Sequence, residues 1–215
     1  PLALAAIGQP REETHPSGAA DIVSAGMLEA AGIAAVLAVH VHPDLPAGAV
    51  SIGSGAVYAS NDIFEITVHG RGGHGAYPHS AIDPVPVAAR ITLALYDLVR
   101  SHASPVEAAA LGAGQIAAGS AANIIPDTAG LRGTVRAMSA ASRKRLHDGL
   151  RQTADHLARA AGARATVAII RGEPALVNDP GLVRHSSRWL ARAGLQLARP
   201  LRTCGSDDFS FYTEQ

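Results

Sequence analysis

Cysteine is nearly absent from this sequence: Cys204 is the only one in 215 residues. An internal disulfide and an all-cysteine zinc site are thereby excluded, which fits a reducing compartment and makes the cytoplasm the expected location. An excess of one charge is missing too. Eighteen basic side chains balance eighteen acidic ones, so there is no electrostatic footprint of the kind that neutralises nucleic-acid phosphates or seeks an anionic membrane. Long hydrophobic runs are also lacking: the apolar stretch at residues 1–7 is too brief for a membrane span and has no basic flank of a signal peptide. Neither nucleic acid nor membrane is expected as a partner. What is present is 47% hydrophobic and 17% charged residues, enough to bury one or two cores rather than stay disordered.

Residues 2–8 form a continuous apolar run ending in Gly8-Gln9-Pro10, which suits a strand buried on both faces of a parallel sheet. Glu12 and Glu13 then follow its end, where open α/β sheets place their sites. Residues 19–31 carry Ile22, Val23, Met27 and Leu28 at near-helical spacing and stop at Gly32, and residues 34–41 read as a second buried strand closed by Pro43-Asp44-Leu45-Pro46. Strand, helix, strand is expected.

The style changes near Tyr58. Phe64, Ile66 and Val68 alternate with polar residues, as in a strand with one wet face. A helix over 84–99 (Val87, Ile91, Leu95, Leu98), strands near 108–117 and 129–136, a helix over 142–161 capped by Ser139, with Leu146, Leu150 and Leu157 as its stripe, and a strand over 165–170 follow. The order βαββαβ argues for a small α+β sandwich inserted in a larger α/β domain. The expected division is 1–57 and 174–215 for the larger domain and 58–173 for the insert, with one more helix around 182–193.

Several residue patterns can carry chemistry. Adjacent carboxylates such as Glu12 and Glu13 point to different sides, so one can bind a metal while the other takes a proton from water; the plainer reading is an acidic pair near a helix N-terminus. His40 and His42 share one face of Val39-His40-Val41-His42, where imidazole suits a first-row metal or a buried hydrogen bond to a carbonyl. In Gly70-Arg71-Gly72-Gly73-His74-Gly75-Ala76-Tyr77-Pro78-His79, glycines permit positive φ and close backbone approach, so a tight loop can present His74 as an oxyanion donor; a hairpin turn with an incidental histidine is the alternative. Asn123 and Arg136 can hold a carboxylate, or can be an ordinary loop asparagine and strand-end arginine. Asp207 and Asp208 either line the site or cap a turn. His102, His147, His156 and His185 read as surface or packing residues.

Taken in order, Gln9-Pro10-Arg11-Glu12-Glu13, residues 39–48, Gly72-Gly73-His74-Gly75 with residues 76–84, Asn123-Ile124-Ile125-Pro126-Asp127, Gly133-Thr134-Val135-Arg136 and Gly205-Ser206-Asp207-Asp208-Phe209-Ser210 resemble the M20 family of metallopeptidases, nearest its amidohydrolase branch of aminoacylases, hippurate hydrolases and auxin-conjugate hydrolases. The resemblance covers nearly the whole chain. It implies part of a zinc-peptidase-like α/β catalytic domain carrying an inserted α+β lid that also makes a homodimer. It further implies Glu12 as general base and acid, Glu13 and His40 as metal ligands, and His74 as an oxyanion donor that often serves the partner subunit. Asn123 and Arg136 are implied to hold the substrate carboxylate. The implied cofactor is a pair of divalent ions (zinc, or manganese, cobalt or nickel), and the implied substrate is a small N-acyl amino acid or peptide.

The pattern also departs from the family. Its Cys-Gly-His-Asp stretch has no counterpart, its late histidine ligand would fall beyond Gln215, its usual glutamate is replaced by Asp207, and Thr14-His15-Pro16-Ser17 stands where glycines are common. The expectation is therefore an internal segment of a longer enzyme, inactive alone. A dipeptidase or carboxypeptidase of the same fold is the rival activity, and a truncated binding or dimerisation module is the rival class.

Overall fold

The computed structural model describes residues 4–14 and 16–214, so part of the run at 2–8 and His15 lie outside the described residues. In chain order the elements are α1 (Gly18–Ser24), α2 (Met27–Ala30), β1 (Ala49–Ser51), β2 (Gly55–Tyr58), β3 (Ser60–His69), β4 (Gly73–His74), a 3-10 turn (Pro78–Ser80) and α3 (Pro84–His102). They continue as β5 (Ala109–Ala118), β6 (Ile124–Ile125), β7 (Thr128–Ala137), α4 (Ala140–Ala160), β8 (Arg164–Arg171), β9 (Leu176–Asn178), α5 (Pro180–Arg192), β10 (Gln196–Ala198) and α6 (Ser210–Thr213). Two compact units result, one of Pro1–Tyr58 with Glu173–Gln215 and one of Ala59–Gly172.

The second unit is an antiparallel sheet of order β5-β7-β3-β8 with two helices against one face. Strict alternation along β3 turns Phe64, Ile66 and Val68 inward and leaves the intervening residues partly exposed. Asp83 caps α3 by accepting a hydrogen bond from the Val85 amide, with Pro84 at the first helical position. The helix then buries Val87, Ile91, Leu95 and Leu98 at helical spacing. Ser139 caps α4 through the Ser142 amide, and Leu146, Leu150, Ala154 and Ala158 form its buried stripe. Gly149 lets α3 and α4 approach: a Cβ there would stand 2.8 Å from Leu98 Cδ2.

The first unit differs from the sequence expectation. The helix expected over 19–31 is interrupted, since Gly26 at φ 64 separates α1 from α2. The runs at 4–8 and 34–41 form no strand among the described residues, and Leu4 is 99% and Val39 97% exposed. A continuous apolar run signals burial on both faces, but a strand needs a ladder partner that the run itself does not encode. The strands that do form are short: β1 pairs with β10 in parallel and β2 with β9 antiparallel. A small core of Ala19, Leu28 and Tyr212, flanked by Ile22, Val23, Phe209 and Phe211, ties α1 and α2 to α6.

Candidate active site

In the first unit the turn before α1 carries the two glutamates. Ser17 is buried and caps α1 by accepting from the Ala20 amide. Gly18 donates its N–H to the Arg11 carbonyl at 3.3 Å, and a Cβ at Gly18 would fall 1.8 Å from the Pro10 carbonyl oxygen, so only glycine fits there. Arg11 itself sits at φ 54, left-handed for a non-glycine residue, and its guanidinium pairs with Asp21. Strain of this kind persists where the surroundings over-determine it, and it stands directly before Glu12.

Carboxylate oxygens of Glu12, Asp207 and Asp208 all lie within 4.8 Å of one another. Glu12 is exposed, Asp207 half-buried and Asp208 buried. Partial desolvation, the Glu13 charge and hydrogen bond, and the charges of Asp208 and Asp207 push the Glu12 carboxyl above its ordinary range. Three oxygen donors at this spacing fit a hard divalent cation, whose charge would relieve their repulsion. Asp207 also accepts from the Phe209 amide at 2.9 Å, so it caps its own turn as well.

His40 is exposed, and its Nδ1 lies 2.5 Å from the Val41 carbonyl oxygen. A carbonyl only accepts, so Nδ1 carries the proton and Nε2 keeps the lone pair that a metal takes. Among the described residues, neither Glu13 nor His40 joins a group of three mutually close donors.

The second unit presents His74 on β4, paired antiparallel with β6 so that His74 faces Ile124 and Gly73 faces Ile125. The Gly75 amide donates to the Asn123 carbonyl at 2.8 Å. Asp127 fastens the loop, accepting from the Gly72 amide on its side chain and from the Gly70 amide on its backbone, both at 2.8 Å. None of the loop glycines uses positive φ, contrary to the expectation; they serve close approach, since a Cβ on Gly70 would meet the Ile82 carbonyl oxygen at 2.1 Å.

The Ala76 amide donates to His74 Nδ1 at 3.1 Å. Nδ1 is therefore the acceptor and the neutral ring carries its proton on Nε2, the opposite tautomer from His40. His74 and Asn123 are thus neighbours on one exposed edge. Arg136 is not with them. It lies near the far end of β7, opposite Asn61 on β3, and eight residues of unbroken strand from Thr128 at about 3.3 Å each amount to roughly 26 Å.

Sequence reading left Asp207 and Asp208 divided between site and cap, and it missed Gln9, which bonds to Asp208 and Tyr212. The signal available was that both lie in patterned segments, residues 9–13 and 205–210.

Residues 63–162 match the peptidase dimerisation domain of M20 enzymes. N-acetylcysteine deacetylase of Bacillus subtilis is 34% identical over 97% of this chain and 54% of its own length. The crystal structure of a dinuclear metal-binding M20 peptidase from B. subtilis superposes with a TM-score of 0.81 at 30% identity, covering 96% of this chain and 51% of that one. The chain belongs to the M20 peptidase family. Thermostable carboxypeptidase 2 of Saccharolobus solfataricus is 29% identical over 97% of this M20 chain and 53% of its own length. The chain spans about half the length of the curated relatives it matches.

Proposed function

We propose that this M20 chain serves metal-dependent hydrolysis of the amide bond in N-acyl amino acids. The observation that carries the reading is the meeting of Glu12 with Asp207 and Asp208, side chains nearly two hundred residues apart whose oxygens lie within 4.8 Å. Glu13 and His40 would hold a divalent cation together with residues outside this chain's described set, and the cation supplies polarisation of a carbonyl and acidification of water. The remaining work falls to this chain's own groups. Glu12, with its raised affinity for a proton, takes one from the attacking water and returns it to the leaving nitrogen. His74 donates its Nε2 proton to the developing oxyanion.

Asn123 and Arg136 hold the substrate carboxylate, an arginine giving the bidentate pairing that favours such a group. Because one strand holds Arg136 roughly 26 Å from Thr128, at about 3.3 Å per residue, and it is the Thr128 end that lies by His74 and Asn123, the reading needs two protomers: Arg136 from one and His74 with Asn123 from its partner. The match to a dimerisation domain supports this, as do the unpaired edge of β5 and the neighbouring α3 surface, where Leu93 is 72% exposed. We assign the homodimer to that unit. A carboxypeptidase activity remains the second reading, supported by the 29% identity to the Saccharolobus enzyme.

The test is metal content and hydrolysis of N-acetyl amino acids against dipeptides by the full-length protein, beside its Glu12→Gln variant. Metal with N-acyl hydrolysis, lost by at least about 100-fold in the variant, is expected. Preference for dipeptides would shift the reading to a peptidase, and full turnover by Glu12→Gln would remove Glu12 from its role.

A further inference from the structure

Gln9 belongs to none of the roles assigned above, yet it bridges two buried groups far along the chain. Its Nε2 donates to Asp208 Oδ2 at 2.7 Å, and its Oε1 accepts from the Tyr212 hydroxyl at 2.9 Å. The amide has one orientation available: a carboxylate only accepts, so the nitrogen must face Asp208 and the oxygen is left for the phenol. Asp208 is 4% exposed and Tyr212 is 8% exposed, and Tyr212 is itself locked in the core formed with Ala19 and Leu28. The bridge is therefore anchored at its distal end by packing rather than by solvent-exposed side chains.

We propose that Gln9 is a positioning residue that sets the register of the Glu12–Glu13 turn against Asp207 and Asp208. The proposal rests on the hydrolase reading above. Gln9 stands three positions before Glu12, and between them stands Arg11 in its left-handed conformation, which an unsupported turn would abandon. It is held from two sides: from α1 by the Gly18 amide on the Arg11 carbonyl together with the Arg11–Asp21 pair, and from the carboxylate cluster by the Gln9 amide on Asp208. Only the second connects the glutamates directly to the acidic loop. Without it, Asp208 loses the side-chain donor that offsets its repulsion of Glu12 and Asp207, and the turn can drift away. A displacement of about 1 Å in a reacting group suffices to cost on the order of 100-fold in rate.

The experiment compares wild type, Gln9→Met and Tyr212→Phe in the full-length protein, by steady-state hydrolysis of an N-acetyl amino acid and by urea unfolding. Gln9→Met keeps the length of the side chain and removes both hydrogen bonds; Tyr212→Phe removes only the hydroxyl that orients the amide. A positioning role lowers kcat about 10- to 100-fold in Gln9→Met with KM within about twofold, and lowers it about threefold or more in Tyr212→Phe. A purely structural role moves the urea midpoint and leaves kcat of the folded fraction alone. If Gln9→Met does not fold, Tyr212→Phe decides by the same split. Unchanged kcat, or a rise in KM alone, overturns the inference while the hydrolase reading stands; a wild type that hydrolyses neither N-acyl amino acids nor peptides overturns both.

Discussion

Asp62 has no exposed surface, yet it is an anion. Its carboxylate accepts from Arg143 at 2.7 and 2.5 Å, from His147 at 2.7 Å and from the Gly172 amide at 3.0 Å. Burial alone would push its carboxyl up, but the Arg143 and His147 hydrogen bonds, the Arg143 charge and the Gly172 amide outweigh it and hold the group well below the usual carboxylate range. A depressed pKa in the folded state means stability that is present above the unfolded pKa of about 3.9 and lost as pH falls below it. The expected result is a urea midpoint that drops through that acid range in wild type. In Asp62→Asn this part of the acid dependence is absent, because Arg143 and His147 are left without the anion, at a cost of about 3–5 kcal/mol at neutral pH. An unchanged midpoint at pH 7 would contradict this. Half of this arrangement was legible: Asp62 shares the period-two parity of Phe64, Ile66 and Val68, so the pattern that turns those inward turns it inward as well. Its partners were not. His147 reads from sequence as surface or packing, and nothing in the order of residues brings it to a strand more than eighty positions earlier. The same limit applies to His40 and His74, whose opposite tautomers depend on which backbone group each Nδ1 meets.

Elements that carry their own signals were the ones legible in advance. α3 and α4 have a cap, an apolar stripe and a stop within their own residues, and β3, β7 and β8 have alternation or β-branched runs; α3, α4, β7 and β8 lie within three residues of the expected bounds, and β3 contains the expected alternation of Phe64, Ile66 and Val68. The runs at 4–8 and 34–41 failed because a fully buried strand is defined by neighbours rather than by its own pattern. β7 shows how tightly one element can constrain another. A Cβ at Gly133 would stand 2.1 Å from the Gly112 carbonyl oxygen of β5 and 2.5 Å from Phe64 Cζ of β3. Neither neighbour can withdraw, since Gly112 is held in the β5–β7 ladder and Phe64 is fully buried. Gly133→Ala is therefore expected to destabilise by about 1–3 kcal/mol or more, seen as a lower urea midpoint with an unchanged m-value. Gly130→Ala on the same strand, whose added Cβ comes no nearer than 3.9 Å to the Ala117 carbonyl oxygen of β5, is the control that should be nearly neutral by comparison.

At the scale of the whole molecule, the arrangement of β7 bears on the assembly. His74 on β4 and Asn123 just before β6 sit beside the Thr128 end of β7, whereas Arg136 lies near the opposite end of that strand, so no single copy of that unit can close all three on one small carboxylate. If each site draws Arg136 from one protomer and His74 from its partner, then His74→Ala and Arg136→Ala homodimers each lack one member at both sites. A mixed dimer has one site lacking both groups and one site with neither missing. Co-expression of the two full-length variants with random pairing places half of the protein in mixed dimers, each with one intact site of two, so about a quarter of wild-type activity should return. Sites built within one protomer predict the opposite: every site in every mixture lacks one group, and activity never exceeds that of the two parents combined. Measuring the co-expressed mixture against the separately purified variants, at equal protomer concentration and above the dimer dissociation constant, therefore decides whether the dimer is required for the chemistry or only for stability.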